Sequence, residues 1–324
     1  MRITTFRRPL SMIIQDQMPL SQVSDETLSF FRAIGVDYLT VHPPLDFWEG
    51  EDRTGFWKET RKRVESHGLK LHNIATKCWN EIILGLPGRD ARIETWCTAL
   101  RTLGRAGIPT LGYDFMTRSF RTPSATGRGG AAYSTFVYDE MMKDPARYPN
   151  GAVSEPQLWE NLKYFLDRTL PAAEEAGVTM ALHPDDPPIP ETILGGARIV
   201  SSLSQYQKIF ALAPSRCNAM LFCQGCVAEM GEDVPNAIRQ MGALGRIAYV
   251  HFRNIRGTPR SFQEVFVDEG DVDMFRAMRA YKESGFNGPF MMDHTPGIPN
   301  DPQLRAGRAF AVGYLRAMIQ AVYR

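Results

Sequence analysis

EAGVTMALHPDDPP, residues 175–188, contains a helix end, a strand and a rigid loop in one short stretch. Gly177 sits where the residue after a helix needs left-handed geometry. The apolar run behind it reads as a buried strand that closes on His183, and the prolines pin the loop that follows. The same punctuation recurs in AIGVDYLTVH (33–42), SHGLKLHNIA (66–75), RAGIPTLGYDF (105–115), LGRIAYVHF (244–252) and SGFNGPFMMDH (284–294), with Gly35, Gly68, Gly107, Gly245 and Gly285 in the corresponding place. CNAMLFC (217–223) and an N-terminal strand within residues 2–15 bring the count to eight strands. Across 324 residues that is about 40 per unit. Eight βα units of this length predict a TIM (β/α)8 barrel, a single α/β domain over residues 1–324.

Between the strands the spacing turns helical, most clearly in SEPQLWENLKYFLDRTL (154–170). Ser154 is an N-cap, and Leu158, Leu162, Phe165 and Leu166 recur at three- and four-residue steps, so this helix packs on the barrel wall. Residues 116–153 are polar, rich in Gly and Arg, and without sustained period, too long for an ordinary βα loop. They are expected to form an extended loop cap over the barrel mouth after strand 4.

Composition excludes several classes. Hydrophobic residues make up 44% and charged residues 23%, so a core can be built and disorder is not expected. Thirty-seven basic against 36 acidic residues leave a charge of +1, which gives no field to hold nucleic acid. No stretch approaches the ~18 apolar residues of a membrane span, and the N-terminal arginines lack an apolar region behind them. Five cysteines make no disulfide framework. The expectation is a cytoplasmic, unprocessed enzyme acting on a small molecule, with no membrane or nucleic-acid partner and assembled as a homo-dimer or tetramer.

In such barrels the chemistry gathers at the C-terminal strand ends. The last four strands end on His183, Cys223, His251 and Asp293, at gaps of 40, 28 and 42 residues, each about one βα unit. Imidazole, thiolate, imidazole and carboxylate together favour a divalent transition metal over a calcium-type oxygen cage, with Mn²⁺, Fe²⁺, Co²⁺ and Zn²⁺ all chemically suitable. Cys223 and Cys226 also form a CxxC, open to a dithiol reading; without a second pair Cys226 is taken as a loop residue. Around the ligands stand further candidates. Asp185 and Asp186 are available to orient a substrate hydroxyl or support a ligand. His294 is suited to proton transfer. Arg253 and Asn254 could grip a carboxylate by a charge-assisted fork.

HPDDPP (183–188), with LGLPGRDARIE, LRTLGRAGI, GYDFM (112–116), FCQG, HFRN, SFQE, GDVDM and DH, resembles the mannonate dehydratases over nearly the whole chain. The resemblance implies a barrel of the xylose-isomerase-like type that removes water from D-mannonate to give 2-keto-3-deoxy-D-gluconate in hexuronate breakdown. It also implies that His183, Cys223, His251 and Asp293 hold the metal, with Mn²⁺ preferred, and that His294 matches the His of the family's DHG motif. Substrate contacts are expected from Asp186, Asn254, Tyr113 of GYDFM and His42, which ends the second strand. The chain departs from the family pattern at Met291 (Arg in the family), Val267 (His), Asp114 (Asn), around Trp79 and Asn80 (a His-Glu pair), and near Gln303, where the family's tyrosine is missing.

Elimination of water β to a carboxylate starts by removing a weakly acidic proton, so the enolate-like charge must be met by a metal or a cationic donor. Arg253 is expected to share that task. His294 and Asp185 are expected to move the two protons, with acid and base left open. Two other readings stand beside the lyase: a sugar isomerase or epimerase of the xylose-isomerase-like barrels, and a non-catalytic barrel that binds a sugar acid.

Overall fold

The computed structural model describes residues 13–50, 52–143 and 153–323. Eight strands close into a parallel barrel: β1 (Ile13–Pro19), β2 (Tyr38–His42), β3 (Lys70–Lys77), β4 (Thr110–Asp114), β7 (Thr179–Leu182), β8 (Asn218–Cys223), β9 (Ile247–His251) and β12 (Pro289–Met291). The order around the barrel is β1-β12-β9-β8-β7-β4-β3-β2, so every neighbour is the next barrel strand in the chain and β12 closes onto β1. The N-terminal strand begins at Ile13, and the earlier part of the stretch expected to hold it lies outside the described residues.

The helix punctuation is as the sequence predicts. Gly35, Gly68, Gly107, Gly177, Gly245 and Gly285 all take positive φ, between 62° and 97°. The 154–170 stretch starts a helix, α6 (Glu155–Ala176), whose first turn is capped by Ser154 Oγ accepting from Gln157 N. Leu158, Leu162, Phe165 and Leu166 are its buried face. No helix among the described residues is long and apolar enough to cross a membrane.

Strand alternation divides side chains between the barrel interior and the helix layer. Ala181, Leu221, Tyr249 and Met291 pack together as part of the interior. Space there is tight: a Cβ on Gly112 would lie 2.3 Å from Tyr249 Oη, so only glycine fits at that point of β4.

The segment expected as a loop cap has regular structure. β5 (Thr122–Thr126) and β6 (Ala132–Val137) pair antiparallel and join β10 (Asn254–Thr258) and β11 (Ser261–Val265) in a sheet of order β10-β11-β6-β5. This sheet has its own apolar cluster, including Phe120, Phe136, Ile189, Ile255 and Phe262. Residues 144–152 of the expected cap lie outside the described residues. Local pattern hides these strands because β6 finds its partner β11 more than a hundred residues away, and β5 is a short edge strand containing Pro123.

Candidate functional site

His183, Cys223, His251 and Asp293 come from four adjacent strands and bring one donor atom each to within 4.8 Å of the others. Neither ring nitrogen of His251 is hydrogen-bonded, although Nδ1 stands 3.2 Å from Asp293 Oδ2. A buried imidazole with two orphaned nitrogens is costly unless a further partner is bound. His183 Nδ1 donates to the Pro184 carbonyl at 2.7 Å, which fixes the tautomer and leaves Nε2 with its lone pair, the usual arrangement of a metal-binding histidine. The donor set therefore fits a divalent cation.

The electrostatics agree. Burial raises the Cys223 thiol, but a hydrogen bond from Cys226 and the charges of Arg253 and His183 outweigh it and hold the thiol well below its ordinary range. Cys226 is pushed the other way, first by burial and then by Cys223, so it stays a thiol and donates to the thiolate. Burial also raises Asp293, but His251, His294 and Arg253 overcome it and keep the carboxylate charged. Burial opposes charge on His183, yet Cys223, Asp293 and Asp186 lift it to about 9, so without an ion a proton occupies Nε2, and a cation held by the same anionic groups would have to displace it.

Asp293 has φ 77°, left-handed geometry that a non-glycine residue adopts at a cost of ~1 kcal/mol or more. Gln17 holds it there, donating from Nε2 to both the Asp293 carbonyl (2.8 Å) and Oδ1 (2.9 Å). With Gln17 Oε1 as acceptor, His42 Nε2 must donate to it at 2.7 Å. Burial lowers His42 to about 4, so it is a neutral link in a chain that ends on the Asp293 carboxylate.

A cavity of about 450 Å³ opens over this group, within the ~300–1,000 Å³ range of small-molecule sites. Gln17, His42, Lys77, Asp114, Met116, Ser119, Asp186 and Tyr249 line it together with His183, His251 and Asp293. The expected substrate residues divide. His42 and Asp186 reach the cavity; Asp186 Oδ2 is fixed by Arg121 at 2.6 Å, while Oδ1 is buried without a hydrogen bond. Tyr113 contributes to the wall, but its ring packs against Trp96 and Phe165 in the helix layer, because alternation along β4 sends Gly112 and Asp114 inward and Tyr113 outward. Asn254 lies away from the cavity. Its amide is consumed by the backbone at Ile255, Val267 and Val272, where it ties β10 to the following turn.

Two of the expected catalytic residues also face elsewhere. Asp185 is buried with Oδ2 accepting from Val200 N at 2.7 Å and with Arg198 at 3.5 Å, so it holds the loop and does not line the cavity. Arg253 is 2% exposed and is not among the lining residues. It stands 2.7 Å from Glu229 Oε1, 3.1 Å from Cys226 Sγ, 3.3 Å from Asp293 Oδ2 and 3.5 Å from Glu264 Oε1. That is a counter-ion behind the four-donor cluster. A second trio, Asp186, Cys226 and Glu229, also brings donor atoms within 4.8 Å, but Arg121 and Arg253 already neutralise these groups. Cys226 itself is no loop residue: it is buried in α8 (Gln224–Glu229).

His294 is not among the lining residues either; it adjoins the lining residue Asp293 with its side chain 43% exposed, between Glu264 Oε2 (3.0 Å from Nδ1) and Asp293 Oδ2 (3.2 Å from Nε2). Burial works against its charge, but Asp293 and Glu264 raise it to about 9; solvent screens part of that effect. Sequence reasoning overlooked Gln17, Lys77, Arg121 and Glu264. Applying the strand-end rule to the first four strands as well as the last four would have found Lys77, whereas Gln17 lies two residues before the end of β1 and carries no such signal. Of the positions that depart from the family pattern, Asp114 alone lines the cavity. Burial raises it to about 6 against the pull of His183 and Lys77. Met291 and Val267 are packed inside, Trp79 stacks edge-on to Trp96, and Gln303 lines a separate groove beside Arg305.

The profile of the family described as D-mannonate dehydratase (UxuA) matches residues 33–144 and 137–324. Mannonate dehydratase 2 of Halalkalibacterium halodurans is 34% identical over 298 residues, which cover 81% of this chain and 85% of that protein. The crystal structure of mannonate dehydratase from Streptococcus suis serotype 2 superposes with a TM-score of 0.83 at 28% identity, covering 96% of this chain and 93% of the other. A xylose isomerase domain protein from Planctomyces limnophilus superposes at 0.65 with 14% identity, over 95% and 98% of the two chains, and shares the fold.

Proposed function

Because this chain belongs to the D-mannonate dehydratase family, we propose that it is a metal-dependent hydro-lyase that removes water from a sugar acid, D-mannonate first among them. The observation that carries this reading is the convergence of His183, Cys223, His251 and Asp293 beneath a cavity of about 450 Å³. These four residues would hold the ion, Mn²⁺ by preference. When bound, a divalent cation supplies Lewis-acid stabilisation of the charge that develops as the α-proton leaves.

The protein's own groups supply the proton traffic. Asp186, rather than its neighbour Asp185, is the base: Oδ1 has no hydrogen bond, and Arg121 fixes the other oxygen. His294 is the proton store for the departing hydroxyl, since two carboxylates keep its imidazolium charged near neutral pH. Activity that needs this cation falls as pH rises through its pKa. Glu264→Gln removes one of the two carboxylates, so the alkaline limb of the kcat/KM profile is expected to move to lower pH. An unmoved limb would take His294 out of the mechanism.

The direct test is turnover of D-mannonate by protein reconstituted separately with Mn²⁺, Fe²⁺, Co²⁺ and Zn²⁺, followed by mass. Loss of 18 mass units to a 2-keto-3-deoxy product is expected. An isomerised product of unchanged mass would reject the lyase reading, and binding without turnover would leave the barrel as a sugar-acid binder.

A further inference from the structure

The inward-facing residues at the strand ends form two arcs. One is the metal-ligand arc on β7, β8, β9 and the end of β12. The other consists of Gln17, His42, Lys77 and Asp114 on β1 to β4, all four of which line the cavity. On β3 the period of two turns Asn73, Ala75 and Lys77 inward: Asn73 donates to Thr40 inside the barrel, Ala75 lines the cavity, and Lys77 ends the strand at the mouth. Lys77 pairs in register with Asp114 on β4.

Among the described residues that line the cavity, Lys77 is the only lysine or arginine. The guanidinium groups nearby are engaged: Arg121 by Asp186 and Glu264, Arg198 by Asp185, Arg253 by Glu229. Lys77 makes no ion pair with any described residue and is exposed, so its flexible stem can move without breaking an existing contact. The remaining charged wall residues are carboxylic acids, Asp114, Asp186 and Asp293. Asp186 is paired with Arg121 and Asp293 belongs to the donor cluster, so on the side away from that cluster Lys77 is the wall cation left to meet an anionic substrate. Asp114 Oδ1, buried without a hydrogen bond beside Lys77, is available to a hydroxyl of the same molecule.

We propose that Lys77 receives the carboxylate of the sugar acid, the role that sequence alone assigns to Arg253, and so fixes the direction in which substrate lies across the barrel mouth. This rests on the reading of the substrate as a sugar acid.

The test uses whole metal-loaded enzyme and its Lys77→Met and Lys77→Arg variants. Each is assayed with D-mannonate over a range of ionic strength and titrated calorimetrically with D-mannonate and with the uncharged D-mannitol. Lys77→Met is expected to raise KM and Kd for the acid roughly 10- to 100-fold, as loss of one charge-assisted contact does. It should flatten the salt dependence of kcat/KM and leave the weak affinity for D-mannitol unchanged, while Lys77→Arg recovers most of the loss. Unchanged acid affinity in Lys77→Met, or an equal loss for acid and alditol, overturns the assignment. Failure of the parent enzyme to turn over D-mannonate counts against the dehydratase reading, and acid binding to parent and Lys77→Met then decides the role of Lys77. If the parent binds no acid, both readings fall.

Discussion

His183→Ala protein is expected to emerge from Mn²⁺ reconstitution and desalting with little bound metal, and to dehydrate sugar acid at least ~10³-fold more slowly than the parent. The ring it loses is oriented by the bond from Nδ1 to the Pro184 carbonyl, and its other nitrogen faces the remaining three donors. Three donors hold an ion less tightly than four, and the vacated space admits water. Folding is expected to survive, because His183 lies just beyond the end of β7 and is only partly buried. Elemental analysis and a thermal melt on the same sample separate the two effects. Normal metal content in a folded variant would remove His183 from the ligand set and, with it, the basis of the proposed chemistry.

Arg253→Met is expected to destabilise the fold by about 3–5 kcal/mol, the cost of leaving buried charge without its partner. The guanidinium is enclosed so closely that a Cβ on Gly225 would lie 2.4 Å from Nη1. Its loss strands Glu229, whose side chain is fully buried, and weakens the hold on Glu264 and Asp293. Burial already raises Glu229 to about 8, against the pull of Arg253. Without that pull it retains its proton to still higher pH, so the destabilisation should be smaller in acid than at pH 8. A substrate clamp would behave differently, with a raised KM and an unchanged urea midpoint. That second outcome would return Arg253 to the role first read from its position after His251.

How much was legible follows from how local each signal is. A glycine forced into left-handed geometry after a helix is a property of one residue, and all six such glycines mark real helix ends. The residue that ends a strand or follows it within two positions is equally local, so four metal-ligand types could be read there without knowing the barrel's curvature. Adjacent identical residues are the opposite case. Asp185 and Asp186 carry the same chemistry, and only the approach of Val200 N to one and of Arg121 to the other separates a loop anchor from a cavity carboxylate.

The sequence by itself determined the eight-unit barrel, the glycine-marked helix ends, the four donor residues that converge at the strand ends and the family, because each depends on periodicity or on motifs close along the chain. The tertiary structure decided which charges are free. Arg253 follows His251 in sequence and reads as a substrate grip, yet carboxylates from β11 and α8 enclose it. Lys77 carries no motif, and folding leaves it at the cavity without a partner. Pairing of charges is settled by distance in space, across Glu229, Glu264 and Asp186, and local sequence holds no record of it.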